Sequence, residues 1–134
     1  MRYLLLLPTA CIALAACATP ATPKPAGASS LELTLERGAS AELTPGVRLT
    51  FESVDDSRCP PGVQCVWAGR LSYRFSIRRG GDAPESFILS PAQPEAAPGT
   101  LAGGRLQLDT ATIPAPPAQG AAIVYRATLT IIPA

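Results

Sequence analysis

Histidine is absent from this chain of 134 residues, and its single methionine is the initiator. The first absence removes the commonest general base and the commonest metal ligand, and the second removes the soft thioether ligands that copper uses. Lys24 is the only lysine, so a Ser, Thr or Cys nucleophile would find a base only in Lys24, a carboxylate or an arginine. No Gly-x-Ser-x-Gly elbow, phosphate-cradling loop or dinucleotide fingerprint is present. An enzyme is therefore not expected, and neither a cofactor nor a metal is called for. Excess charge is missing too: eleven basic residues stand against ten acidic ones, and the arginines are scattered along the chain. That balance gives no reason to expect nucleic acid or an anionic surface as a partner.

What is present begins with MRYLLLLPTACIALAAC, a positive charge at Arg2 followed by an uncharged run from Leu4 to Ala16. The run is shorter than the roughly 20 residues a bilayer core needs, so residues 1–16 read as a secretory signal and not as a spanning helix. Its close, Leu14-Ala15-Ala16-Cys17, resembles the lipobox of bacterial lipoproteins. The resemblance implies cleavage before Cys17, acylation of that cysteine and a membrane anchor in the cell envelope. Ala18, where an Asp would favour inner-membrane retention, implies outer-membrane residence. The other reading is an ordinary secreted protein cleaved near Ala18 or Thr19. Cys11 lies inside the signal. Residues 17–30 then form a Pro-, Ala- and Thr-rich tether, in which residues 18–30 reach up to ~40 Å in polyproline form.

From Leu31 the pattern becomes period two, and residues 31–134 form one domain. Leu31, Leu33 and Leu35 alternate with Glu32, Thr34 and Glu36; Val47, Leu49 and Phe51 alternate with Arg48, Thr50 and Glu52. Leu71, Tyr73, Phe75 and Ile77 alternate with polar residues, and Phe87–Leu89, Leu106 with Leu108, and Ile123 to Ile131 supply further strands. Six or seven strands are predicted, with Gly80-Gly81-Asp82 turning a hairpin between 71–79 and 85–90. The Ala-rich stretches at 92–97 and 115–122 carry too many prolines for helices. The fold class is all-β: a small antiparallel sandwich or barrel, an immunoglobulin-like sandwich by preference, with one local disulfide.

That disulfide is expected in DSRCPPGVQCVWAG, residues 56–69, where Cys59 and Cys65 remain as an even pair once Cys17 is acylated. Pro60-Pro61-Gly62 supplies the bend, and the small ring is worth only about 2 kcal/mol. Metal binding would have to recruit Glu52, Asp55 or Asp56, and the spacing is unlike the Cys-x-x-Cys of redox sites. Two readings stay open: a purely structural clamp, or a stiffened recognition loop in which Arg58, Pro60, Pro61, Gln64 and Trp67 contact a protein. Trp67, two residues after Cys65, is expected to pack on the disulfide as core. Asp55 and Asp56 alternate faces, which suits a loop cap or an ion pair with Arg58 or Arg70 better than paired acid-base work.

With Phe51-Glu52-Ser53-Val54 before it and Tyr125-Arg126-Ala127-Thr128-Leu129 later, this window resembles a group of small bacterial lipoproteins sharing Asp-Ser-Arg-Cys-Pro, a second cysteine and Trp-Ala-Gly. The resemblance implies a secreted, disulfide-clamped β-domain and no particular chemistry. The functional expectation is a membrane-anchored, non-enzymatic binding module of the envelope, in one version an inhibitor, that engages an envelope or secreted protein through residues 56–69. The alternative is a structural accessory lipoprotein whose Cys59–Cys65 loop only stabilises the fold.

Overall fold

The computed structural model describes residues 29–134. The signal segment 1–16, Cys17 and all but the last two residues of the tether lie outside the described residues. The expected all-β sandwich is present as two four-stranded antiparallel sheets. The strands are β1 (Leu31–Glu36), β2 (Ser40–Thr44), β3 (Val47–Asp56), β4 (Leu71–Arg79), β5 (Glu85–Leu89), β6 (Glu95–Ala96), β7 (Arg105–Leu108) and β8 (Arg126–Ile132). One sheet has the order β1-β8-β7-β6 and the other β2-β3-β4-β5. The chain thus runs round the sandwich as a meander, and the β1–β8 pair closes the circuit.

Two short strands, β2 and β6, were not among those expected. Ala41 and Leu43 turn inward from β2 while Ser40, Glu42 and Thr44 face solvent, the same alternation written in too few residues to stand out. The expected hairpin is present, with Phe75 opposite Phe87 and Tyr73 opposite Leu89. The last strand begins at Arg126 and not at Ile123. Val47, Leu49, Phe51, Tyr73, Phe75, Ile77, Leu106 and Leu129 are fully buried between the sheets. Phe51 stacks on Phe75 with centroids 4.8 Å apart and meets Tyr73 edge-on at 5.3 Å. Such aromatic pairs add about 0.5–1.5 kcal/mol each beyond the area they bury.

Strand β3 carries a bulge between Phe51 and Ser53, and the bulge reverses its phase. Up to Phe51 the odd residues point inward; beyond it Val54 pairs with buried Tyr73 and Asp56 with buried Leu71. Asp56 is thereby swung inward at the end of the sandwich, and Asp55 onto the outer face beside Ser72. The register also separates the two ends of the molecule. Leu31 lies opposite Ile131 at one end, while Asp56, Leu71 and the start of β8 lie at the other.

Candidate functional site

The cysteine window leaves β3 at Asp56 and returns to β4 at Leu71. Its base is pinned: the Ser57 amide donates to the Arg70 carbonyl at 2.8 Å, the Arg70 amide to Ser57 Oγ at 3.1 Å, and the Cys59 amide to the Ala68 carbonyl at 3.3 Å. Gly69 makes this closure possible, because at φ +69° an added Cβ would fall 1.8 Å from the Ser57 carbonyl oxygen. Above the base, Cys59 and Cys65 form the expected disulfide, with Cα atoms 5.9 Å apart. Both sulfurs are consumed in that bond, so neither is a metal ligand. The Val63 amide bonds back to the Pro60 carbonyl at 3.4 Å, and Gly62 has φ +76°. Pro61 and Gly62 therefore take the central positions of a type II turn, where proline presets φ and glycine accepts its positive value.

Asp56 organises the foot of the loop. One carboxylate oxygen accepts from Arg58 Nε at 2.8 Å and from the Arg58 amide at 3.2 Å. The other accepts from Arg58 Nη2 at 2.7 Å and from the Tyr125 hydroxyl at 2.8 Å. Arg58 Nη1 donates to the Pro114 carbonyl at 2.9 Å, tying the window to the proline-rich segment before β8. The fork from Arg58 holds the Asp56 carboxyl down at about 2; burial opposes this, and the Tyr125 bond assists it. Burial, followed by the bond to Asp56, pushes the Tyr125 hydroxyl up to about 12. Tyr73 lies beneath, with its hydroxyl buried, raised in pKa by that burial and without a hydrogen-bond partner among the described residues.

This arrangement corrects two expectations. Arg58 is no free anchor: its side chain is only 18% exposed and is spent on Asp56 and Pro114. Trp67 is not core: it is 82% exposed, and beside it Val66 is 89% exposed. The segment after Cys65 bends, so a shared face with Cys65 does not arise. Pro61, Gln64 and Cys65 are exposed, whereas Pro60 and Cys59 are half-buried. The expected ion pair of an aspartate with Arg58 is present, made by Asp56, while Asp55 forms none among the described residues.

Beside the window, across the outer ends of β3, β4 and β5, runs an open groove of about 720 Å³. Its floor and walls include Asp55, Arg70, Arg74 and Ile88, with Ala68 and Gly69 of the window on one side and Pro91 and Ala92 on the other. Sequence reasoning missed this groove, although Ile88 signals it as an apolar residue 48% exposed on a face otherwise lined by serines and charges. It also missed Tyr125 and Pro114, which reach Asp56 and Arg58 from 69 and 56 residues away. No known protein family, curated protein or solved structure matches this chain.

Proposed function

We propose that this chain is a non-enzymatic binding module of the bacterial envelope, anchored through acylated Cys17, probing a protein partner with the exposed crest of its clamped loop. One observation carries the reading: Trp67 and Val66 stand almost fully in solvent on a loop whose shape is already fixed. An exposed indole costs solubility and contributes nothing to the core, whereas at an interface tryptophan is among the residues that concentrate binding energy. The disulfide, the type II turn and the Ser57–Arg70 clamp remove the conformational freedom that binding would otherwise have to remove.

The anchor fits this geometry. Leu31, where the tether joins, is at the end of the sandwich opposite the window, and β3 spans ten residues between the ends. At about 3.3 Å per residue, the crest is held roughly 30 Å beyond the root of the tether. Outer-membrane residence belongs to the same proposal, through Ala18 after the acylated cysteine. The accessory, purely structural role draws support from Arg58, which is spent inside the molecule.

The two readings part at Trp67. The test is crosslinking mass spectrometry on the full chain in its native envelope, with a photoreactive residue at Gln64 and a Trp67→Ser variant in parallel. The module reading expects one reproducible protein adduct at Gln64 that Trp67→Ser abolishes at unchanged protein level. Identical crosslinks from both forms would assign the window to structure alone.

A further inference from the structure

The groove beside the window has a chemistry of its own. Of the arginines near it, Arg58 is consumed by Asp56, but Arg70 and Arg74 make no ion pair and no side-chain hydrogen bond among the described residues. Both are exposed, and both line the groove. Arg74 lies opposite Ser53 on β3 and opposite Ile88 on β5, so a forked cation and an apolar patch are side by side across the sheet. Asp55, also without an ion pair among the described residues, completes the polar lining next to Ser72. At about 720 Å³ the groove falls in the range of sites that hold drug-sized ligands or short peptide segments.

We infer that this groove receives an acidic peptide segment of the partner: a carboxylate side chain or chain end held by Arg70 and Arg74, with a neighbouring apolar side chain seated on Ile88. Two planar guanidinium forks match carboxylates better than any other acceptor in a protein. A phosphate-rich ligand fits less well, because Asp55 stands in the same groove and repels a dianion. A peptide has an answer to Asp55, since its backbone N–H groups are donors. The groove is lined on one side by Ala68 and Gly69, so a segment lying in it runs along the base of the loop. This inference rests on the module reading above and supplies the chemistry of the partner.

The experiment probes an array of N-acetylated random hexapeptides with the full chain, and then measures the selected peptides by fluorescence anisotropy at low and high salt. Vesicles containing anionic phospholipid and soluble glycan fragments serve as parallel probes. Selection of peptides carrying Asp or Glu beside an apolar residue is expected, with affinity falling as salt rises. The pair Arg70→Ala with Arg74→Ala should weaken these peptides about tenfold or more, with unchanged thermal unfolding. Arg74→Lys, which keeps the charge but loses the fork, should fall between.

Selection without acidic preference, equal affinity in the double variant, or binding only to vesicles or glycans would overturn the inference. The crest is read separately. If Trp67→Ser abolishes the envelope crosslink while the double arginine variant leaves peptide affinity unchanged, the groove assignment fails and the module stands. If neither variant changes any binding, both fail.

Discussion

Replacing Asp56 by asparagine tests whether the foot of the window is an electrostatic fastening. The carboxylate accepts four hydrogen bonds, three from Arg58 and one from Tyr125. Asparagine keeps one acceptor oxygen and turns an NH2 group toward donors that need an acceptor. Removing one partner of a buried ion pair costs about 3–5 kcal/mol, but Arg58 is partly wetted, which brings the expected loss to about 2 kcal/mol at neutral pH. The pH dependence has a definite sign. The folded-state pKa of Asp56 lies below its unfolded value, so its contribution is complete above about pH 4 and is lost as pH falls toward 2. The drop from 3.8 to about 2 caps this part at ~2 kcal/mol, and solvent screening lowers it to about 1 kcal/mol. Urea unfolding followed by circular dichroism, from about pH 7 down to about pH 2, reads both numbers. The parent should lose stability on that acid limb while Asp56→Asn stays flatter, so that their difference narrows. A neutral-pH difference under about 0.5 kcal/mol, or parallel acid limbs, would refute the argument.

Four further outcomes are expected. Trp67, the only tryptophan, should already emit at a water-like wavelength in the folded protein and be quenched freely by iodide; a blue-shifted, protected emission would return it to the core. Cys59→Ala with Cys65→Ala should lower stability by about 2 kcal/mol while leaving the far-ultraviolet circular dichroism intact, since the ring lies outside both sheets. Gly69→Ala should cost more than about 2 kcal/mol and expose the Ser57 amide to hydrogen exchange, because its Cβ would collide with the Ser57 carbonyl. Tyr73→Phe should leave stability equal or raise it by up to about 1 kcal/mol in thermal unfolding, because it deletes a buried hydroxyl without a partner.

The sheets were legible where alternation runs long enough to compare two faces. In β4 the inward Leu71, Tyr73, Phe75 and Ile77 are all buried, and Arg74 and Arg78, in the opposite phase, face solvent. Ser40–Thr44 escaped notice because small Ala41 hardly marks an inner face, although Arg37-Gly38 and Pro45-Gly46 bracket it as turns. The bulge in β3 left one trace, Val54 out of phase with Phe51, and that trace was enough to have placed Asp56 inside. Strand order was not legible, because alternation records which face a residue takes and not which strand lies beside it. The pairing of the cysteines was legible from their number and from the secretory signal that the first residues resemble. The direction of Trp67 was not, since period two applies to extended chain, and the segment returning to Gly69 is bent by a clamp to Ser57 that has no linear signature. Tyr125 and Pro114 are brought to the window only by the finished sandwich.

The meander order has a consequence for how the protein is made. Every strand pairing joins neighbours along the chain except β1 with β8, where Thr34 and Thr128, 94 positions apart, share a hydroxyl hydrogen bond of 2.9 Å. A chain delivered N-terminus first to the place where it folds can complete the β2–β5 sheet hairpin by hairpin, while β1 has no strand partner among the described residues until β8 arrives. During that interval both β1 and β7 present unpaired edges, the kind of surface on which nascent chains cross-pair and aggregate. Closure is therefore a single late event, and a product stopped short of Arg126 would hold one finished sheet with only the β6–β7 hairpin and an unpaired β1 to cover it.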